Sequence, residues 1–209
     1  MSGRVHRRGF TLLELLIVLG ILAILAAIAT LVLNPAELLK RARDSRRLVD
    51  VQALEAAINL VVTRQAILSQ VMDWDGPNFP NNTCLGQADP RIFVSVPSDN
   101  GESPPAPPVG WNWAQVASAP LRNVDGSGWD PIDFRANATS GERLPIAALP
   151  VDPINTWASA FYYSYTCGGS FEINLRMESN KYMEKAINDG GDDVNLLEGG
   201  STLVISPPR

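Results

Sequence analysis

One carboxylate, Glu14, interrupts an otherwise uncharged run from Phe10 to Leu33, FTLLELLIVLGILAILAAIATLVL. An unpaired carboxylate in dry surroundings is strongly unfavourable unless it finds a cation and hydrogen bonds. An acid here therefore implies either a partner charge or a position near the end of the span, from which it reaches water. A second feature is the acidic, glycine-rich stretch NDGGDDVNLLEGG at 188–200. Its Asp189, Asp192, Asp193, Asn195 and Glu198 offer the oxygen ligands that a hard cation such as calcium takes, although the spacing is not that of an EF-hand and a solvated loop has the same composition. The third is Cys84 and Cys167, distant in sequence and outside any CxxC motif. In an exported domain they pair as one disulfide; in a reducing compartment they are two buried thiols. The only histidine is His6, so the rest of the chain lacks Ser-His-Asp chemistry, Cys-His nucleophiles and His-ligated metals. No phosphate loop or GxSxG motif is present. The expectation is a protein that is not an enzyme and carries no cofactor, with calcium at the acidic loop as the alternative to a solvated loop. A membrane-anchored hydrolase using paired carboxylates is the one enzymatic alternative, with no pair singled out.

The elements that position these residues begin with the apolar run. Its 24 residues from Phe10 to Leu33 span roughly 36 Å as a helix, more than a hydrocarbon core requires. A cleaved secretory signal is the competing reading, with Arg4, Arg7 and Arg8 as the charged start and Ala27-Ile28-Ala29 as a small-x-small site. The length of the run and Glu14 both speak against it. The 209-residue chain has net charge −5, with Lys and Arg concentrated around the apolar run and Asp and Glu in the remainder. That acidic remainder disfavours nucleic acid as a partner.

The stretch RRGFTLLELLIVL at 7–19 resembles the leader junction of type IV pilins and of the related type II secretion pseudopilins. The resemblance implies cleavage between Gly9 and Phe10 by a prepilin peptidase, which also methylates the new amine of Phe10. Thr11, Leu12, Leu13 and Glu14 match the family pattern after the cut. It implies a filament of identical subunits and related minor pilins, built by inner-membrane assembly machinery, with Glu14 meeting the terminal amine of a neighbour. It also implies a single-pass inner-membrane precursor with its head outside, which then becomes part of an extracellular pilus or a periplasmic pseudopilus. The positive-inside rule opposes that orientation, because Lys40, Arg41, Arg43, Arg46 and Arg47 outnumber the leader's Arg4, Arg7 and Arg8. The leader-peptidase reading and the two-cysteine domain favour it. Where many type IV pilins carry a proline, this chain has Leu31.

Asn34-Pro35 signals a helix start, a capping side chain followed by proline at the first helical position, so either one helix kinks here or a second begins nearly in line. Val51, Leu54, Ile58, Val61 or Val62, Gln65, Leu68 and Met72 then recur at spacings of three and four, one apolar stripe ending near Asp73. Four segments follow: a leader at 1–9, a transmembrane and polymerisation helix at 10–33, an amphipathic continuation at 34–72, and a globular head at 73–209. In the head, SDNGESPPAPPVG at 98–110 reads as an exposed polyproline-like loop. AFYYSYT (160–166) and SFEINLRM (170–177) alternate with period two around Cys167-Gly168-Gly169, a hairpin. STLVIS (201–206) and RIFVSVP (91–97) are further strand candidates. The expected class is α+β, a long N-terminal helix packed on a small antiparallel sheet, which is also the pilin fold. LPVDPINTWASAFYYSY (149–165) resembles the Asp-Pro turn before the first hairpin of major pseudopilins. Trp111, Trp113, Trp129 and Trp157 serve as core residues or as a surface aromatic patch; the sequence does not separate the two.

Overall fold

The computed structural model describes residues 9–64, 90–135, 144–168 and 170–205. It divides into two compact units, Met1–Lys40 and Arg41–Arg209. In the first, α1 runs Leu12–Leu33 and ends where Asn34 turns left-handed at φ 39°. The next helix, α2, runs Pro35–Arg64. Asn34 begins it as the proline signal predicts: its carbonyl accepts from the N–H groups of Glu37 and Leu38, at 3.0 and 3.2 Å. A second helix thus starts rather than one helix bending. The stripe positions Gln65, Leu68 and Met72 lie outside the described residues.

The second unit is built on a five-stranded sheet. Its strands are β1 (Arg91–Val94), β2 (Asn112–Ala114), β3 (Ser164–Cys167), β4 (Phe171–Leu175) and β5 (Leu197–Gly200), in the order β2-β1-β3-β4-β5. A short helix, α3 (Asn180–Ile187), connects β4 to β5. The α+β class is as expected, but the sheet is mixed rather than antiparallel. β2 pairs parallel to β1, with Ile92 opposite Trp113, while the other three pairings are antiparallel. The proline-containing segment 95–111 supplies the long crossover that a parallel pair needs.

Val51, Leu54, Ala57, Ile58 and Val61 of α2 are buried with Tyr165, Phe171, Ile173 and Leu175 of the sheet, and with Trp129, Phe134, Leu149 and Tyr163. This is the predicted stripe, and truncating Leu54 within it removes about 2–5 kcal/mol. A smaller cluster gathers Ile92, Val94, Val96, Trp111, Trp157 and Ile205, with Trp113 and Tyr162 packed against it. The ring centroids of Trp113 and Trp157 lie 5.0 Å apart, and those of Trp157 and Tyr162 4.7 Å apart. The tryptophans are therefore chiefly core, with Trp113 half-buried.

Two strand expectations need correction. The last strand is 197–200 and not 201–206. Its glycines permit close approach: a Cβ on Gly200 would strike the Phe171 carbonyl, and one on Gly199 would strike Glu55 and Val51 of α2. The residues after it fold over β4 instead, where Ser201 and Thr202 donate backbone N–H groups to the Phe171 carbonyl. In consequence the polar face of β4 is not solvated. Glu172 and Asn174 are buried; Glu172 accepts from the Ile205 backbone N–H at 2.5 Å and from Asn174 Nδ2 at 2.6 Å.

Candidate functional site

The first turn of α1 carries Glu14. Gly9 and Phe10 precede the helix, and Phe10 is exposed. Thr11 is extended, at φ −82° and ψ 152°, and caps the helix. The Glu14 N–H donates to Thr11 Oγ1 at 3.2 Å. Glu14 Oε2 in return accepts from the Thr11 N–H and from Thr11 Oγ1, each at 2.9 Å. This reciprocal capping box satisfies two helix-end donors that would otherwise be orphaned. Thr11 as its partner was missed, although Thr-x-x-Glu before an apolar run is its sequence signature. The box supplies hydrogen bonds but no charge: among the described residues no cation pairs with Glu14. Among the described residues nothing engages its second carboxylate oxygen.

The rest of α1 is a helix long and apolar enough to cross a membrane over Leu12–Thr30, with none of that span buried inside the protein. Leu12, Leu16, Ile24 and Leu33, each more than 60 % exposed, lie around it. So much uncovered apolar surface must meet lipid or other chains. Residues 4–30 match the family model for the prokaryotic N-terminal methylation motif. The N-terminus is of the prepilin type. That motif is characteristic of type IV pilins and pseudopilins, and with the exposed apolar helix it supports a membrane-anchored, pilin-like precursor. No curated protein and no solved structure matches the chain.

The basic residues after the span do not form a simple solvated cluster. Arg47 is fully buried. It holds Asp152 through Nε and Nη2 at 2.6 and 2.9 Å, and through Nη1 it reaches Asp44 at 2.8 Å and Glu178 at 2.7 Å. Its guanidinium lies 4.6 Å from the centre of the Phe161 ring. Burial opposes the charge, but the hydrogen bonds and charges of Asp152, Glu178 and Asp44 outweigh it and hold Arg47 more firmly protonated than usual. Arg43 binds Glu178 in a two-pronged contact at 2.8 and 2.6 Å. With the help of Arg47, that contact lowers the Glu178 carboxyl below its ordinary range. Asp44 also accepts from the backbone N–H and hydroxyl of Ser179, at 2.7 and 2.6 Å. Arg46 makes a loose i,i+4 contact of 3.7 Å with Asp50. The Asp152-Pro153 turn is thereby fastened to α2: Asp152 Oδ1 also takes the Ile154 N–H at 2.8 Å.

The acidic loop does not come together around one point. Among the described residues no three His, Cys, Asp or Glu side chains are placed to share a metal ion. Asp189 accepts from the backbone N–H groups of Gly191 and Glu198, at 2.9 and 2.8 Å. Asp193 accepts from the backbone and side-chain amides of Asn195, at 2.9 and 3.1 Å. Glu198 differs, being buried with both carboxylate oxygens lacking a hydrogen-bond partner. Burial, and then the charge of Glu172, push its carboxyl up to about 8. Cys167 is buried at the end of β3; Cys84 lies outside the described residues, as do Arg4, His6, Arg7 and Arg8.

Proposed function

We propose that the protein is a structural subunit of a type IV pilus-like filament. Prepilin peptidase cuts after Gly9 and methylates Phe10. The mature chains then assemble side by side through residues 10–33, with Glu14 of one subunit meeting the Phe10 amine of another. The observation that carries this reading is the Glu14 carboxylate. It stands in the first turn of a wholly uncovered apolar helix, directly after the Gly9-Phe10 junction, hydrogen-bonded to Thr11 but uncompensated in charge. A carboxylate in oil is penalised until a cation arrives, and cleavage creates that cation within the same segment of a neighbour. The acid therefore works as a register device that rewards one axial offset between helices. The experiment is Glu14→Ala: the chain stays in the membrane but is lost from sheared filaments, and undiminished incorporation would refute the pairing. The two cysteines fit an exported head, and among the described residues none is free, which supports a Cys84–Cys167 disulfide.

The second reading is a type II secretion pseudopilin, whose short filament moves folded proteins outward. The Asp152-Pro153 turn, anchored on Arg47, favours it. Calcium belongs to this reading alone. As placed, the residues at 189–198 do not form its site, so binding requires the loop to draw Asp189 and Asp192 toward the unsatisfied Glu198. A Tm raised by added calcium, and no longer raised in Glu198→Gln, would support it.

A further inference from the structure

The head carries both a recess and a projection. The recess is a groove of about 600 Å³ beside α3, walled by Phe161, Met177, Met183, Ala186, Ile187 and Val194. Met183, Ile187 and Val194 are 48 %, 58 % and 62 % exposed. α3 thus turns apolar side chains outward as well as burying Ala186. Arg176 also lines this groove, half-buried and with no ion pair or hydrogen bond among the described residues. Glu178, the acid on the same wall, is already held by Arg43 and Arg47. The groove therefore presents apolar surface with one uncompensated cation.

The projection is the polyproline loop. Val109, between Pro108 and a left-handed Gly110 at φ 84°, is fully exposed. The loop is fixed from behind: Trp113 Nε1 donates to the Pro105 carbonyl at 2.8 Å, and Glu102 accepts the Trp157 N–H at 2.6 Å. Asp99 takes the Ser118 N–H at 2.9 Å. Residues 92–121 contain Asp99 and Glu102 and no Lys or Arg. An extended proline segment loses little entropy on docking and suits an apolar groove bearing an aromatic ring.

We infer that the Pro107-Pro108-Val109 tip of one subunit docks into the Arg176 groove of another copy of this chain. Charge complementarity names the occupant, an acidic loop meeting an unpaired guanidinium. Because knob and groove are different patches of one head, the contact is heterologous and leaves a free tip and a free groove for further copies. The inference rests on the filament reading, for which it supplies a contact between heads in addition to the one between helices.

The test uses full-length chains co-produced with their assembly machinery, one carrying Val109→Cys and the other Ile187→Cys, under mild oxidation. The expected result is a mixed disulfide dimer from the pair, none from either variant alone, and none when Val204→Cys replaces Ile187→Cys. Arg176→Glu in the groove chain abolishes the dimer, whereas Arg176→Lys retains it. Absence of the mixed dimer, or an equal yield with Val204→Cys, overturns the inference. Sheared filaments from the same cells separate the two failures: filaments without the cross-link leave the filament reading standing, and an absence of filaments removes both.

Discussion

Replacing Arg47 by Met would remove a single cation from among three acids. Arg47 makes four hydrogen bonds of 2.6–2.9 Å, two of them to Asp152. Asp44 and Asp152 are 0 % and 3 % exposed. Methionine fills much of the space, so the loss is chiefly that of buried carboxylates left without their counter-charge, on the order of 3–5 kcal/mol. For a domain of this size that lowers Tm by roughly 10 °C. The assay is thermal or urea unfolding of the full chain in detergent, followed by tryptophan fluorescence, at pH 7 and again near pH 4. In the parent, Arg43 and Arg47 hold the Glu178 carboxyl below its ordinary range, a contribution to stability that is lost as pH falls. The deficit of the variant is therefore largest at neutral pH and shrinks toward low pH. Arg47→Met combined with Asp152→Leu recovers part of the loss, because an absent charge is less unfavourable than an unpaired one. A loss below about 1 kcal/mol, the range of exposed ion pairs, or a deficit independent of pH, would refute the argument that this network is dry and strongly coupled.

Two further outcomes follow from the head. The Glu198 carboxyl is raised to about 8 by burial and by Glu172, so the folded state holds a proton that the unfolded chain releases above its ordinary carboxyl range. Stability contributed by that proton is complete at low pH and is lost as pH rises toward 8. Glu198→Gln should therefore leave Tm near pH 4 almost unchanged and raise it at pH 8, by about 1–3 kcal/mol of unfolding free energy; a fall at pH 8 would contradict the assignment. Non-reducing peptide mapping should join Cys84 to Cys167, and losing the bridge should cost about 2–5 kcal/mol; two free thiols would remove one support for an exported head.

Features that depend on neighbours in sequence were readable without a structure. The Gly9-Phe10-x-x-x-Glu14 junction, the α2 stripe from Val51 to Val61 and the β3–β4 hairpin all declare themselves through local spacing. What escaped depends on distant partners. Nothing local points to the partners of Arg43 and Arg47, because Glu178 and Asp152 lie more than one hundred positions away. Gly199 and Gly200 read as loop, since nothing local reveals that α2 and β4 press against them. The alternation in β4 marked one face correctly as apolar but could not show that residues 201–205 cover the other. The parallel β2 hides behind a proline-rich segment that resembles a loop and serves as a crossover.

As proposed, Glu14 sits in the membrane segment to meet an amine that proteolysis exposes. Mass spectrometry of the N-terminal peptide from the assembled protein tests it most directly. The account predicts a peptide beginning at Phe10 and bearing one added methyl group on its amine. A chain that still begins at Met1, or one cut near Thr30, would leave Glu14 without its partner and contradict the account.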